Sequence, residues 1–184
     1  MFLIIMIVAS SLITIFAAQH SRDMEIEERQ DMMEYARETA EVVLGATLSS
    51  TWYEDIKGRI VEKPPGDTTV MTLILEELYL LDCGVPKENF ALGYEKNIKI
   101  LARNLVASSY HFAIEGYYQN ESTNAEYFIF ISDIVPDYST KTEASGDSTD
   151  YTQSMPRSNL ASCEIVMPLI DKDEDAQITF SLWN

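Results

Sequence analysis

Met1 to Ala18 carry no charge, and all thirteen basic and thirty acidic side chains of the chain follow them. The run MFLIIMIVASSLITIFAA passes into HSRDMEIEERQDMMEYARETAEVVL without a proline or a glycine. Nothing there breaks a helix, so the sequence predicts one helix over residues 1–50, apolar over 1–18 and amphipathic over 19–50. Eighteen residues at ~1.5 Å each span roughly 27 Å, close to the ~30 Å of a bilayer core. A helix segment with no polar face has no side to offer water and calls for lipid or neighbouring protein around it.

Three readings of that segment compete. A cleavable secretory signal begins with basic residues and ends in a small-x-small site. Here no Lys or Arg precedes the run, and Phe16-Ala17-Ala18-Gln19 is a poor site. A plain anchor fits the length but ordinarily carries positive charge on its cytoplasmic flank. The third reading is a subunit whose helix first rests in a membrane and then packs against copies of itself. Its polymerisation core is Met1, Phe2, Leu3, Ile4, Ile5, Ile7, Val8, Leu12, Ile13 and Ile15. Ser10, Ser11 and Thr14 bond to carbonyls one turn back and are small enough either to be tolerated in a membrane helix or to let helices approach.

Met1-Phe2-Leu3-Ile4 and Met6-Ile7-Val8, with Ile13, Ile15, Ala17 and Ala18, resemble the start of mature type IV pilins. In that family a short basic leader is removed and the mature chain opens on the apolar helix, which would account for the missing basic flank. The resemblance covers residues 1–50 in pattern and 1–18 in residues. Ile5 stands where many bacterial pilins carry a glutamate; archaeal pilins and archaellins often lack it, so the resemblance leans to an archaeal-type filament. Packing without that carboxylate rests on van der Waals contact and apolar burial. Gly84-Val85-Pro86 and the closing Leu182-Trp183 are similar to breaks and ends in archaeal pilin-like proteins. The resemblance implies a structural protein rather than an enzyme, in an extracellular filament serving adhesion or motility and membrane-inserted before assembly. Its implied partners are itself, the membrane, a prepilin peptidase and an assembly ATPase with its platform; no cofactor is implied. The alternative is a single-pass membrane-anchored extracellular sensor or binding domain, with an anchored enzyme behind it.

Net charge is -17 and the sequence pI about 4.3. That balance excludes the basic footprint a nucleic acid needs and disfavours adsorption to anionic lipid. There is no nucleophile elbow, Gly-rich phosphate loop or zinc spacing. His20 sits at the junction of the apolar and charged parts, and His111 lies between Tyr110 and Phe112; both read as surface or interfacial residues. Asp171, Asp173 and Asp175 have the opening spacing of a calcium loop, but Ala176 stands at its glycine position and Leu182 at its closing acid, which favours a plain turn. Cys83 and Cys163 permit one disulfide on an exported chain or two buried thiols. Asn120-Glu121-Ser122 is a glycosylation sequon, expected in a loop.

The fold class expected is α+β, with a globular domain over residues 51–184 holding two further helices and a small antiparallel sheet. In the long helix, Met32, Ala36, Thr39, Ala40, Val43, Leu44 and Thr47 form a stripe at spacings of three and four. Residues 51–66 read as a connection stopped by Lys63-Pro64-Pro65-Gly66. Asp67 or Thr69 would cap a second helix with Met71, Leu73, Ile74, Leu78 and Leu81 on its apolar face and Gly84 as a left-handed cap. A third helix is expected over 95–115, with Ile98, Leu101, Leu105, Ser108 and Phe112 inward and Lys96, Lys99 and Arg103 outward. Those bases read either as a solvated face or as a docking face for an acidic neighbour. Ala125–Ile131, Ser162–Leu169 and Gln177–Trp183 read as strands, the last two as a hairpin around an acidic turn. Residues 137–158 read as a long exposed loop.

Overall fold

The computed structural model describes residues 2–48, 51–54, 60–63, 68–84, 94–134, 138–142, 160–169, 172 and 174–184, with side chains placed in 16–48, 68–84, 95–134, 160–169, 172 and 174–184. Within these residues the chain is α+β. The helix α1 runs unbroken from Phe2 to Gly45, 44 residues or about 66 Å. It stops where the first glycine removes a side chain and adds backbone freedom. The bond from Ala46 N–H to the Val43 carbonyl closes its last turn.

A short clip then joins the end of α1 to the next helix. Thr47 bridges Thr69, and Val70 N–H donates to the Ala46 carbonyl at 2.9 Å. Between them lies a two-stranded antiparallel hairpin, β1 (Thr51–Glu54) and β2 (Ile60–Lys63). The expected plain connection over 51–66 therefore contains strand structure. Lys63 ends β2, while Pro64, Pro65, Gly66 and Asp67 lie outside the described residues.

The helix α2 (Val70–Asp82) is capped by Thr69, whose hydroxyl oxygen accepts from Thr72 N–H at 3.2 Å. Its far end closes through Gly84 N–H to the Leu81 carbonyl, with Gly84 at φ 78°, the left-handed conformation that favours glycine. Val70, Leu73, Ile74, Leu75, Leu78, Leu80 and Leu81 are all buried. A helix so widely apolar belongs inside the fold, and α2 covers β3 and β4 while α1 packs beside it over β6 and β7.

The helix α3 spans Tyr94–Leu105, not 95–115, and His111–Asn120 is instead the strand β3. Val106 N–H still bonds the Ala102 carbonyl, but Tyr110 N–H bonds Ala107, so the chain turns at Ser108-Ser109. From there the buried residues Phe112, Ile114, Gly116 and Tyr118 recur every second position, the period of a strand. Aromatic and β-branched side chains prefer that pleated surface.

The other strands are β4 (Ala125–Ser132), β5 (Tyr138–Thr142), β6 (Leu160–Pro168) and β7 (Asp175–Trp183). They form one antiparallel sheet with β3, in the order β5-β4-β3-β7-β6. The expected strands at 125, 162 and 177 are present, and β6 and β7 make the expected hairpin. β5 lies within the stretch read as a loop; 143–159 lie outside the described residues. Registers such as Ile114↔Ile131 and Ile114↔Phe180 put like faces together across the sheet. One face carries Phe112, Ile114, Tyr118, Tyr127, Ile129, Ile178, Phe180 and Leu182 onto the helices. On the opposite face Ala113, Phe130 and Trp183 form a second, smaller buried cluster.

The rear of α1 belongs to this core. Ala36, Ala40, Val43 and Leu44 are buried as the stripe predicts, and Met32 and Tyr35 are half-buried against them. The stripe ends one residue later than expected, at Leu48, because Thr47 turns outward into its bridge.

Candidate functional site

The functional feature the sequence points to is the front of α1. Every side chain from Phe16 to Asp31 is exposed, and among the described side chains of the helix the first fully buried is Ala36. The thirty residues from Phe2 to Asp31 extend about 45 Å at 1.5 Å each. Phe16, Met24 and Ile26 are large apolar groups left in water on this stretch. Of the residues expected to form a polymerisation core, Phe2, Leu3, Ile4, Ile5, Ile7, Val8, Leu12, Ile13 and Ile15 lie on the helical backbone, and their side chains fall outside the described set, as does Met1 altogether. Among the described residues no helix is long and apolar enough to cross a membrane.

What fixes this helix to the body is partly polar. The Tyr35 hydroxyl accepts from Ala107 N–H at 2.9 Å, and its ring lies 5.3 Å from that of Tyr110. At the same corner Arg103 donates to the Tyr110 carbonyl and to Asp133, each at 2.8 Å. Asp133 also accepts from Phe112 N–H at 3.1 Å and lies 3.1 Å from His111 Nδ1. One carboxylate thus ties α3 to the start of β3 and the end of β4. His111 thus has Asp133 as its structural partner.

A second polar cluster sits at the other end of the sheet, and sequence reading did not find it. Lys172 bonds Asp82 and lies 3.1 Å from the Tyr118 hydroxyl, which itself donates to Glu174. Asn120 donates to the other Asp82 oxygen at 2.8 Å, and Tyr127 also bonds Asp82. The Lys172 ammonium stands 5.3 Å from the centre of the Tyr118 ring, which stacks on Tyr127. Burial pushes the Asp82 carboxyl up, but hydrogen bonds from Lys172, Asn120 and Tyr127 and the Lys172 charge together hold it below its ordinary value. Burial pulls Lys172 down, and its bonds to Asp82 and Tyr118 more than reverse this, raising it well above an ordinary lysine. Burial and the bond to Glu174 push Tyr118 up to about 12, and burial and Asp82 raise Tyr127 likewise. Held as ammonium, Lys172 clamps Asp82 and Tyr118 together. The cluster pins the β6–β7 turn onto the end of α2.

Of the remaining candidates, Asn120 and Cys163 lie on the sheet and Cys83 at the end of α2. Asn120 is only 8% exposed, and its Oδ1 accepts from Ser122 and Thr123 N–H at 2.9 and 3.0 Å. The nitrogen a glycan would join is the one donated to Asp82; Asn120 closes β3, and Glu121 and Ser122 enter the exposed turn before β4. Cys83 and Cys163 are free thiols. Cys83 follows the Asp82 that bonds Asn120, whereas Cys163 pairs with Phe180 opposite Ile114. The six residues of β3 between those levels separate them by roughly 20 Å, beyond the ~7 Å reach of a disulfide. Asp171 and Asp173 lie outside the described residues, and among those described no group of three or more His, Cys, Asp or Glu is placed to hold a metal ion.

No family model, curated protein or solved structure matches this chain.

Proposed function

We propose that the protein is a structural subunit of an extracellular type IV pilin-like filament, inserted in a membrane before assembly and polymerising through its apolar N-terminal helix. The observation that carries this reading is the continuity of α1. One helix is charge-free at its front, exposed along its middle and built into a folded core at its rear. A helix that served only to complete the core would not extend thirty residues beyond it. Apolar side chains such as Leu3, Ile4, Ile7, Val8 and Leu12 each gain about 1.5–3 kcal/mol when taken out of water. Transfer from lipid to a helix bundle gains far less, through packing, which suits a subunit that moves between the two. The acidic body then forms the outer wall, its charge keeping the filament surface solvated.

Electron microscopy of material sheared from the cell surface, with mass spectrometry of the subunit's N-terminus, tests the proposal. Changing Ile7 or Leu12 to Asp places a carboxylate in the packed bundle and is expected to abolish filaments while the body stays folded. Filaments of normal yield from either variant, or a wild-type chain found only as single membrane-held copies, would overturn the reading. The second of those results is what an anchored sensor domain gives.

A further inference from the structure

We propose, on the filament reading above, that the outer face of α3 docks onto the acidic middle turns of α1 from a second copy of this chain. A chain of net charge -17 repels its own copies, so lateral contacts between subunits need places where base meets acid. Positive charge is scarce, yet Lys96, Lys99 and Arg103 fall within the twelve residues of α3. Its inward side is taken by Ile98 and Ala102, both fully buried. Its outward side centres on Ile100, which is 51% exposed. The residues three and four positions from Ile100 are Lys96, Asn97, Arg103 and Asn104, so no carboxylate borders it along the helix. Arg103 is ion-paired with Asp133 and donates to the Tyr110 carbonyl, so the outward positive charge rests mainly on the two lysines.

The complementary surface is on α1. Between Arg22 and Asp31 stand five carboxylates against two guanidiniums. Met24, 48% exposed, has Glu27 and Glu28 three and four positions on, with Asp31 one further turn along. Each face is an exposed apolar residue beside charges mainly of one sign, and the signs are opposite: Lys96, Lys99 and Arg103 outnumber Glu95 on α3, and five carboxylates outnumber Arg22 and Arg29 on α1. The two faces do not cover each other within one chain, since Met24 and Ile100 are both about half exposed there. Ile100 against Met24, rimmed by Lys96 and Lys99 against Glu27, Glu28 and Asp31, makes an intermolecular contact of helix on helix.

Charge exchange in the full-length chain tests this. K96E/K99E and E27K/E28K are each expected to raise the protein concentration needed for filament assembly by about tenfold, the sum of several surface pairs lost and reversed. Combining all four changes is expected to restore assembly to within about twofold of wild type. Lys96→Gln with Lys99→Gln, which removes attraction without adding repulsion, should fall between. In a chain whose native thiols are Cys83→Ser and Cys163→Ser, Met24→Cys with Ile100→Cys should oxidise to a ladder of covalent multimers. Unaltered assembly of K96E/K99E, no rescue in the combined variant, or a cross-link within one chain or to a different protein overturns the docking. If Ile7→Asp abolishes filaments while the charge exchange has no effect, only the docking fails. If Ile7→Asp assembles normally, the filament reading itself fails.

Discussion

Gly116→Ala measures how closely α2 lies on the sheet. A Cβ at this position in β3 would stand 2.8 Å from Ile74 Cγ2 and 3.5 Å from Ile129 Cβ and Leu78 Cδ1. Ile74, Leu78 and Ile129 are themselves buried, so none has free volume to turn into. An overpacked methyl of this kind costs about 1–3 kcal/mol. Alanine also restricts the unfolded chain, which returns about 0.4–1 kcal/mol. The net expectation is a destabilisation of about 1–2 kcal/mol. At about 2–4 °C per kcal/mol for a chain of this size, the melting temperature should fall by roughly 2–8 °C. Near-ultraviolet circular dichroism follows the loss of packing around the buried aromatic residues and avoids the signal of the long helix. Ile74→Leu deletes the clashing Cγ2 and conserves volume, so the pair Gly116→Ala/Ile74→Leu should be more stable than the sum of the single effects allows. A neutral or stabilising Gly116→Ala, or simple additivity in the cycle, would show that α2 does not rest on Gly116.

Two other perturbations probe the polar cluster. Asp82→Asn removes the charge that holds Lys172 and is expected to cost about 1–3 kcal/mol near neutral pH. The folded Asp82 pKa lies below its ordinary 3.8, so the wild-type bonus is complete above the unfolded value and is lost as pH falls through the folded one. Urea midpoints from about pH 7 to about pH 2 should therefore decline more in wild type than in Asp82→Asn; parallel curves would contradict the assignment. Asn120→Ala should cost about 2 kcal/mol by orphaning two backbone N–H groups and one Asp82 oxygen, and the wild-type peptide carrying Asn120 should have its unmodified mass. An added glycan mass would show that the Asp82–Asn120 bond is not kept.

Local signals made much of this fold legible. The spacing of Ala36, Ala40, Val43 and Leu44, the Thr69 cap and the glycine at position 84 are each decided within a few residues, and each appears in the structure. The stretch from Ser108 to Asn120 misled because Leu105, Ser108 and Phe112 happen to continue the helical spacing of Ile98 and Leu101. The competing signal was present: Phe112, Ile114, Gly116 and Tyr118 alternate, Tyr117 and Tyr118 favour strand, and Asn120 to Asn124 is turn-forming, with Asn124 at φ 58°. The lysine clamp was not legible at all. Asp82, Tyr118 and Lys172 are separated by dozens of residues, and only the antiparallel register that brings Tyr118 beside Ala176 collects them. Nothing in the short acidic stretch around Lys172 distinguishes a pinned turn from a solvated one.

The rear of α1 has a mechanical meaning. The helix lies along β6 and β7 through Ala36, Ala40, Val43 and Leu44 and is clipped at its end by the Thr47–Thr69 bridge. Tension applied at the N-terminus runs along the helix axis and loads those side chains together, as sliding, instead of peeling them off one at a time. Tyr35 and its bond to Ala107 stand where the helix leaves the body, so the first load reaches α3 before it reaches the core. A chain pulled by the front of this helix would thus fail as a unit or hold as a unit.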